Sequence, residues 1–203
     1  SEYEAHLAQL EALKIPRSEM VSLLSLQEFG PEPPQTHLLI RGSVHGKDKV
    51  VEPGVPRVLE HLAPVPTARV TEHGDSSGRR LAFAQWVTHP DNAATTRTLV
   101  NRIWHHHFGL GVVPTTNDFG RLGLPPSHPE LLDWLAREFV EMKWSLKSLH
   151  KLIMSSNTYR MSSVPSENAL LRDPDNRMLS RFRLRRLDAE EVRDSMLTAS
   201  GAI

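Results

Sequence analysis

The chain has 203 residues, 39% of them hydrophobic, enough apolar material for a core in one domain or in one domain with an appendage. Its 24 Lys and Arg balance 24 Asp and Glu, so the molecule lacks the excess positive charge that wholesale binding to nucleic acid or an anionic membrane draws on. With no cysteine, disulfides, thiolate metal sites, covalent c-type haem within this chain and a cysteine nucleophile are all excluded.

No apolar run approaches the roughly 18 residues that a membrane span needs. The sequence opens at Ser1 directly in a helix-like segment, without a start methionine or a signal-peptide pattern, and reads as part of something longer. Residues 3–13 fit a short helix stopped by Pro16, and Val21 to Leu26 supply a short apolar run before the Pro- and Gly-rich residues 30–34. Residues 37–41 (HLLIR) read as a strand ending at Gly42, with Val50 and Val51 as its partner across a turn at residues 45–48. So small an antiparallel element needs packing against the helical part to be stable.

Residues 64–77 are rich in Pro, Gly, Ser and Asp and mark the best boundary. The expected organisation is therefore an N-terminal region over residues 1–76, with a short helix and small β element, followed by a helical domain over residues 77–203. Ser77 is placed to cap a helix running to Val87 with Leu81, Ala84 and Val87 inward. Thr95 or Thr96 can cap the next, with Leu99, Val100, Ile103, Trp104 and His107 along one face. Ser127 can cap a third, with Pro129 in its first turn and Leu131, Leu132, Leu135, Phe139 and Met142 as a stripe of period 3.6. Ser145 starts a fourth, with Leu146, Leu149, Leu152 and Ile153 inward, and residues 155–175 read as a polar stretch. Asp188 and Glu191 form a capping box for a last helix with Val192, Met196 and Ala199 inward, closed by Gly201. The fold class is mainly α, a bundle-like domain with a small antiparallel β element near the N-terminus.

Chemistry-bearing side chains are densest over residues 95–120. His105, His106 and His107 suggest a metal, but successive helix residues project about 100° apart, so three in a row cannot face one ion. A helical zinc pair needs ligands at i and i+4, and those positions hold no usual ligand. Asp118, His128 or His150 would have to come from elsewhere. The histidines read first as packing, capping and hydrogen-bonding residues. Asn117 and Asp118 fit a turn, and Glu130 the favourable first turn of a helix. Neither a nucleophile elbow around Ser155, Ser156 or Ser162 nor a phosphate-binding glycine loop is present. The alternating arginines Arg181, Arg183, Arg185 and Arg186 are expected to pair with Asp173, Asp175, Glu190 and Glu191. The four tryptophans read as core, and only secondarily as a sugar-stacking platform.

The segments VNRIWHHHFGLGVV (residues 100–113), NDFG (117–120), HPELLDWLAREFV (128–140), WSLKSLHKLI (144–153) and TYR (158–160) resemble the planctomycete surface domain family. DPDNR from Asp173, RRLDAEEVRDSML from Arg185 and, upstream, HLLIRG and PGVP fit as well, so the likeness spans nearly the whole chain. The family is a C-terminal domain of unknown function in large planctomycete cytochrome-c-like proteins. The resemblance implies an exported protein, periplasmic or at the cell surface, with c-type haem in a separate N-terminal domain and no cofactor in this chain. It carries over no activity. It directs attention to Asn101, Arg102, His106, His107, Asn117, Asp118, His128, His150 and Arg160 as a candidate polar cluster, with Trp104, Asp133, Lys147 and Tyr159 beside it.

The reading that follows is a non-catalytic interaction or scaffold domain. Its partners are neighbouring domains of the same polypeptide or a cell-surface polymer, with no nucleic acid and no membrane span. The alternatives are a metal-assisted hydrolase or electron-transfer accessory domain using the His106/His107 region, and a carbohydrate-binding module.

Overall fold

The computed structural model describes residue 28, residues 30–70, residue 74 and residues 76–202. The helix expected at residues 3–13 and the apolar run before Pro31 lie outside them. Among the described residues there are six α-helices and one two-stranded antiparallel sheet, so the fold is mainly α, as the patterns imply. The chain divides into two compact units, residues 1–52 with 68–79, and residues 53–67 with 80–203.

In the first unit, β1 (Thr36–Leu39) pairs with β2 (Lys47–Val51), with Thr36 opposite Val51 and His37 opposite Val50. The register slips between His37 and Leu39, and the connection passes through a 3₁₀ turn in which Arg41 is left-handed at φ 51°. Leu38, Leu39, Val50 and Val51 all stay exposed. Elsewhere in this unit the Glu28 carboxylate accepts the Ser76 hydroxyl at 3.0 Å and the Ser77 amide at 2.6 Å. Gly78, at φ 71°, then turns the chain into the first helix where any Cβ would strike the Arg69 carbonyl.

The second unit is built on two helices, Ala93–Phe108 and Pro129–Glu141. Helix α1 (Arg79–Val87) buries Ala82 and Trp86, not Leu81, which is 59% exposed. Helix α2 (Ala93–Phe108) is capped by Asn92, whose side chain accepts from the Thr95 amide and donates to the Trp86 carbonyl at 3.0 Å. The cap thus lies three residues before the expected Thr95, because Asn92 is buried where one side chain can serve both helices. Helix α3 (Pro129–Glu141) starts at proline with His128 as its cap residue, while the Ser127 hydroxyl is used on the Val112 carbonyl. Helix α4 (Leu146–Ser155) is capped by Ser145, whose hydroxyl accepts from the Ser148 amide. Between α3 and α4, Lys143 and Trp144 are both left-handed, at φ 53° and 60°. That uncommon conformation is held by the Trp144 amide on the Phe139 carbonyl and by the Trp144 ring set edge-on to Phe139 at 5.2 Å.

The core joins Val100, Ile103, Trp104 and Phe108 of α2 to Leu132, Leu135, Ala136 and Phe139 of α3, with Leu149 and Ile153 of α4 and the loop residues Val112 and Val113. Trp104 stacks on Phe108 at 4.2 Å. Each large side chain buried here is worth about 1.5–3 kcal/mol by transfer from water.

Two short helices complete the chain. Helix α5 (Glu167–Arg172), capped by Ser166, lies inside what reads as polar loop, since six residues are too few to show a period. Helix α6 (Ala189–Ser200) has the expected start at Asp188 and ends at left-handed Gly201, but none of its residues is buried. Val192 and Met196 therefore do not face a core.

Candidate functional site

The residues singled out from the sequence fall into distinct local networks. The first network is architectural. Asn101 is fully buried, and its amide pairs with the backbone of Val113 at both ends, accepting from the Val113 N–H at 2.8 Å and donating to its carbonyl at 3.0 Å. The side chain imitates a strand partner and pins the loop after α2 back onto the helix. Gly111 makes that approach possible: a Cβ there would lie 2.4 Å from the Val113 oxygen and 2.8 Å from the Asn101 amide nitrogen.

A second network orders residues 115–124. The Asp118 carboxylate accepts from the Gly120 amide at 2.8 Å, an Asx turn, and the Thr115 hydroxyl bridges the Asp118 carbonyl and the Leu124 amide. Arg102 reaches Asn117 at 3.4 Å on the surface. His128 Nδ1 lies 3.0 Å from the Ser127 hydroxyl. Among the described residues, Arg160 engages through its backbone amide, which donates to the Ser156 and Asn157 carbonyls.

The third network holds the histidines. Gly109, left-handed at φ 73°, ends α2 by donating its amide to the His105 carbonyl, which leaves the three imidazoles in the last turn. Their rings separate as helix geometry requires. His107 Nε2 meets His150 Nδ1 of α4 at 2.8 Å, and its ring stands edge-on to Tyr159 at 5.6 Å. His106 sits edge-on to His105, whose Nδ1 is buried without a hydrogen-bond partner among the described residues, as is Trp86 Nε1. Burial first, and then the neighbouring His150, Arg185 and His106, lower the pKa of His107 below the ordinary 6.5. Among the described residues no three His, Asp or Glu side chains are placed to hold one metal ion.

The arginine run passes over this end of α2, where a Cβ on Gly109 would lie 3.8 Å from side-chain atoms of Arg183 and Arg185. For Arg181 and Arg183 the pairing differs from the expected carboxylate partners. Arg181 donates to the Asp173 and Pro174 carbonyls and Arg183 to the Asp175 carbonyl. The Asp173 carboxylate is buried, which favours its neutral form, yet the amides of Met178 and Arg177 and the Ser180 hydroxyl keep its pKa below the ordinary value. It is committed to its own loop, so the arginines take the carbonyls instead. Among the described residues, Arg185 alone of the run finds a carboxylate, engaging both oxygens of Glu191. Glu191 also accepts the Asp188 amide as its half of the capping box, and with Arg185 as the main cause its pKa falls to about 2. The capping box and the arginine run both point to Glu191, and this one pair is as expected.

Two concavities lie along α2, the first at its C-terminal end and the second at its N-terminal end. One, about 20 Å³, is bounded by Trp104, Phe108, Arg177 and Arg183 and has room for about one water. The other is a groove of about 540 Å³ between α2 and α3, crossed by Arg97 and Asp133 at 2.6 Å. Both partners of that pair are near half exposed, so it is worth under about 1 kcal/mol. Trp104 is buried, and Trp144 is half-buried against Phe139.

A family profile described as PSD1, protein of unknown function (DUF1553), matches residues 79–203, more than half of the chain. The chain belongs to that family. No curated protein and no solved structure matches it. The PSD1 region starts with α1 and takes in the six helices of the described residues, and with them all three networks. The β1–β2 ribbon lies outside it.

Proposed function

We propose that this PSD1 chain is a non-catalytic interaction module of a larger exported protein, docking on a neighbouring domain of the same polypeptide. The observation that carries this reading is the uncovered apolar surface of its last part. Helix α6 buries no residue, although Val192, Met196 and Ala199 recur at the spacing of one helix face. Leu184 is 79% and Met196 66% exposed. An amphipathic face without a core beneath it is the usual mark of a contact made with another surface. The polar side chains add support, because those of Asn101, Asp118 and Asp173 are spent on their own backbone. The likeness to planctomycete cytochrome-c-like proteins supports the exported setting, with c-type haem in a separate domain.

The test is a photo-crosslinking residue at position 196 of the full-length protein, irradiated in the cells that encode it. A crosslink within the same polypeptide is the expected product. A product with a surface polymer or with an unrelated protein overturns the choice of partner, and the absence of any product overturns the interface.

A further inference from the structure

The two edges of the β1–β2 ribbon are defended unequally. Between the pairs His37–Val50 and Leu39–Lys47, β2 sets Asp48 and Lys49 against Leu38 alone, so the extra residue of the register slip lies in β2. A strand that carries an extra residue bends, and lysines along an edge discourage an incoming strand. β2 has both devices, with Lys47 and Lys49 exposed. β1 has neither. Thr36, His37, Leu38 and Leu39 carry no fixed charge, and among the described residues β1 has no backbone partner other than β2.

A ribbon of two strands is marginal in water, and a third or fourth strand is what makes such a sheet persist. Leu38 is 50% exposed, and Leu39, Val50 and Val51 are exposed with it, so apolar surface is on hand for a larger sheet. Pro33 and Pro34 lack the amide hydrogen that a ladder needs, which confines any new pairing to β1 itself.

The charges at the two ends of β1 say which strand fits. Glu32 lies before it and Arg41 after it, both exposed and neither with an ion-pair partner among the described residues. A parallel copy would set like charges together at both ends. An antiparallel copy, related by a twofold axis, sets Glu32 beside the partner's Arg41 twice over. The charges of β2 stand one strand spacing of about 4.8 Å further from the joint.

We propose that β1 is a homotypic docking edge: two copies of this chain pair antiparallel through it and join their ribbons into one four-stranded sheet. The joint is small, well below the roughly 1,200 Å² of a lasting complex, so the dimer forms and parts with concentration. It is independent of the α6 surface.

Sedimentation velocity of the whole chain, in low salt from about 10 μM to 1 mM, tests this. The sedimentation coefficient is expected to rise with concentration from the monomer value to the dimer value. Leu38→Lys, which puts a charge in the open edge, is expected to hold the chain monomeric, whereas Met196→Lys on α6 leaves the dimer as it was. Glu32→Lys sets like charges together at both ends and should weaken the dimer about tenfold. Adding Arg41→Glu to it restores opposite signs and the parent affinity. Glu32 lies outside the strand, so this pair of variants gives an independent comparison if Leu38→Lys disturbs the ribbon. A monomer at every concentration overturns the proposal and leaves the edge to a different strand. A dimer that survives Leu38→Lys or is lost in Met196→Lys overturns it too, as does a double variant no tighter than Glu32→Lys.

Discussion

Replacing Asn101 with alanine is expected to lower stability by roughly 4 kcal/mol, because two buried backbone groups of Val113 lose their partner at about 1–3 kcal/mol each and a small void is left. For a chain of this length that corresponds to a fall in melting temperature of roughly 10 °C. The loss should be the same in any buffer between pH 6 and 8, since nothing in the pair titrates. A change below about 2 °C by calorimetry would show that the loop after α2 is held by packing alone.

Gly111→Ala is the companion result. The added methyl lies 2.4 Å from the Val113 carbonyl oxygen, and 2.8 and 2.9 Å from the two polar atoms of the Asn101 amide. Neither neighbour is a flexible tip: one is backbone, and the other is fixed by that same backbone. The loop must move away and give up the pairing, so the expected cost is about 3 kcal/mol, the upper range for overpacking. The two substitutions damage one structure, so their costs should fall short of adding. In a double-mutant cycle by urea denaturation, a coupling of about 1 kcal/mol or more is expected. Full additivity would mean that Gly111 is required for a reason other than the close approach of Asn101.

Those two residues also show what a sequence can and cannot disclose. The α3 stripe of Leu132, Leu135 and Phe139 is legible because a long amphipathic helix repeats its pattern often enough to fix its phase. Caps such as Ser145 and Gly201 are legible because their chemistry is local. Helix α1 is not: RRLAFAQWV has apolar residues on every side, and its buried face, Ala82 and Trp86, is set by what lies beneath. At α6 the pattern points Val192, Met196 and Ala199 inward, yet they lie exposed, because amphipathicity does not say whether the partner surface is in the same chain. Asn101 could be marked as chemically able, whereas its employment by Val113 depends on how the chain turns at Gly109 and Gly111. The His107–His150 contact spans 43 residues and two helices, beyond the reach of any local rule. The arginine run was assigned to carboxylates because charge is visible in a sequence. The carbonyls of residues 173–175, which the fold turns toward Arg181 and Arg183, are not.

The Asn101 clamp has a consequence for the order in which the chain folds. It joins residues only 12 apart, so closing that loop costs little chain entropy beside the long-range contacts of α2 with α3. Once α2 is helical, its own side chain can recruit the following loop and bring Val112 and Val113 to the helix before α3 arrives. The clamp therefore belongs to the folding nucleus. Asn101→Ala should slow refolding by nearly the whole of its equilibrium effect while leaving unfolding almost unchanged, a φ-value near 1 in stopped-flow measurements. If unfolding accelerates instead, the clamp closes after the helices have docked.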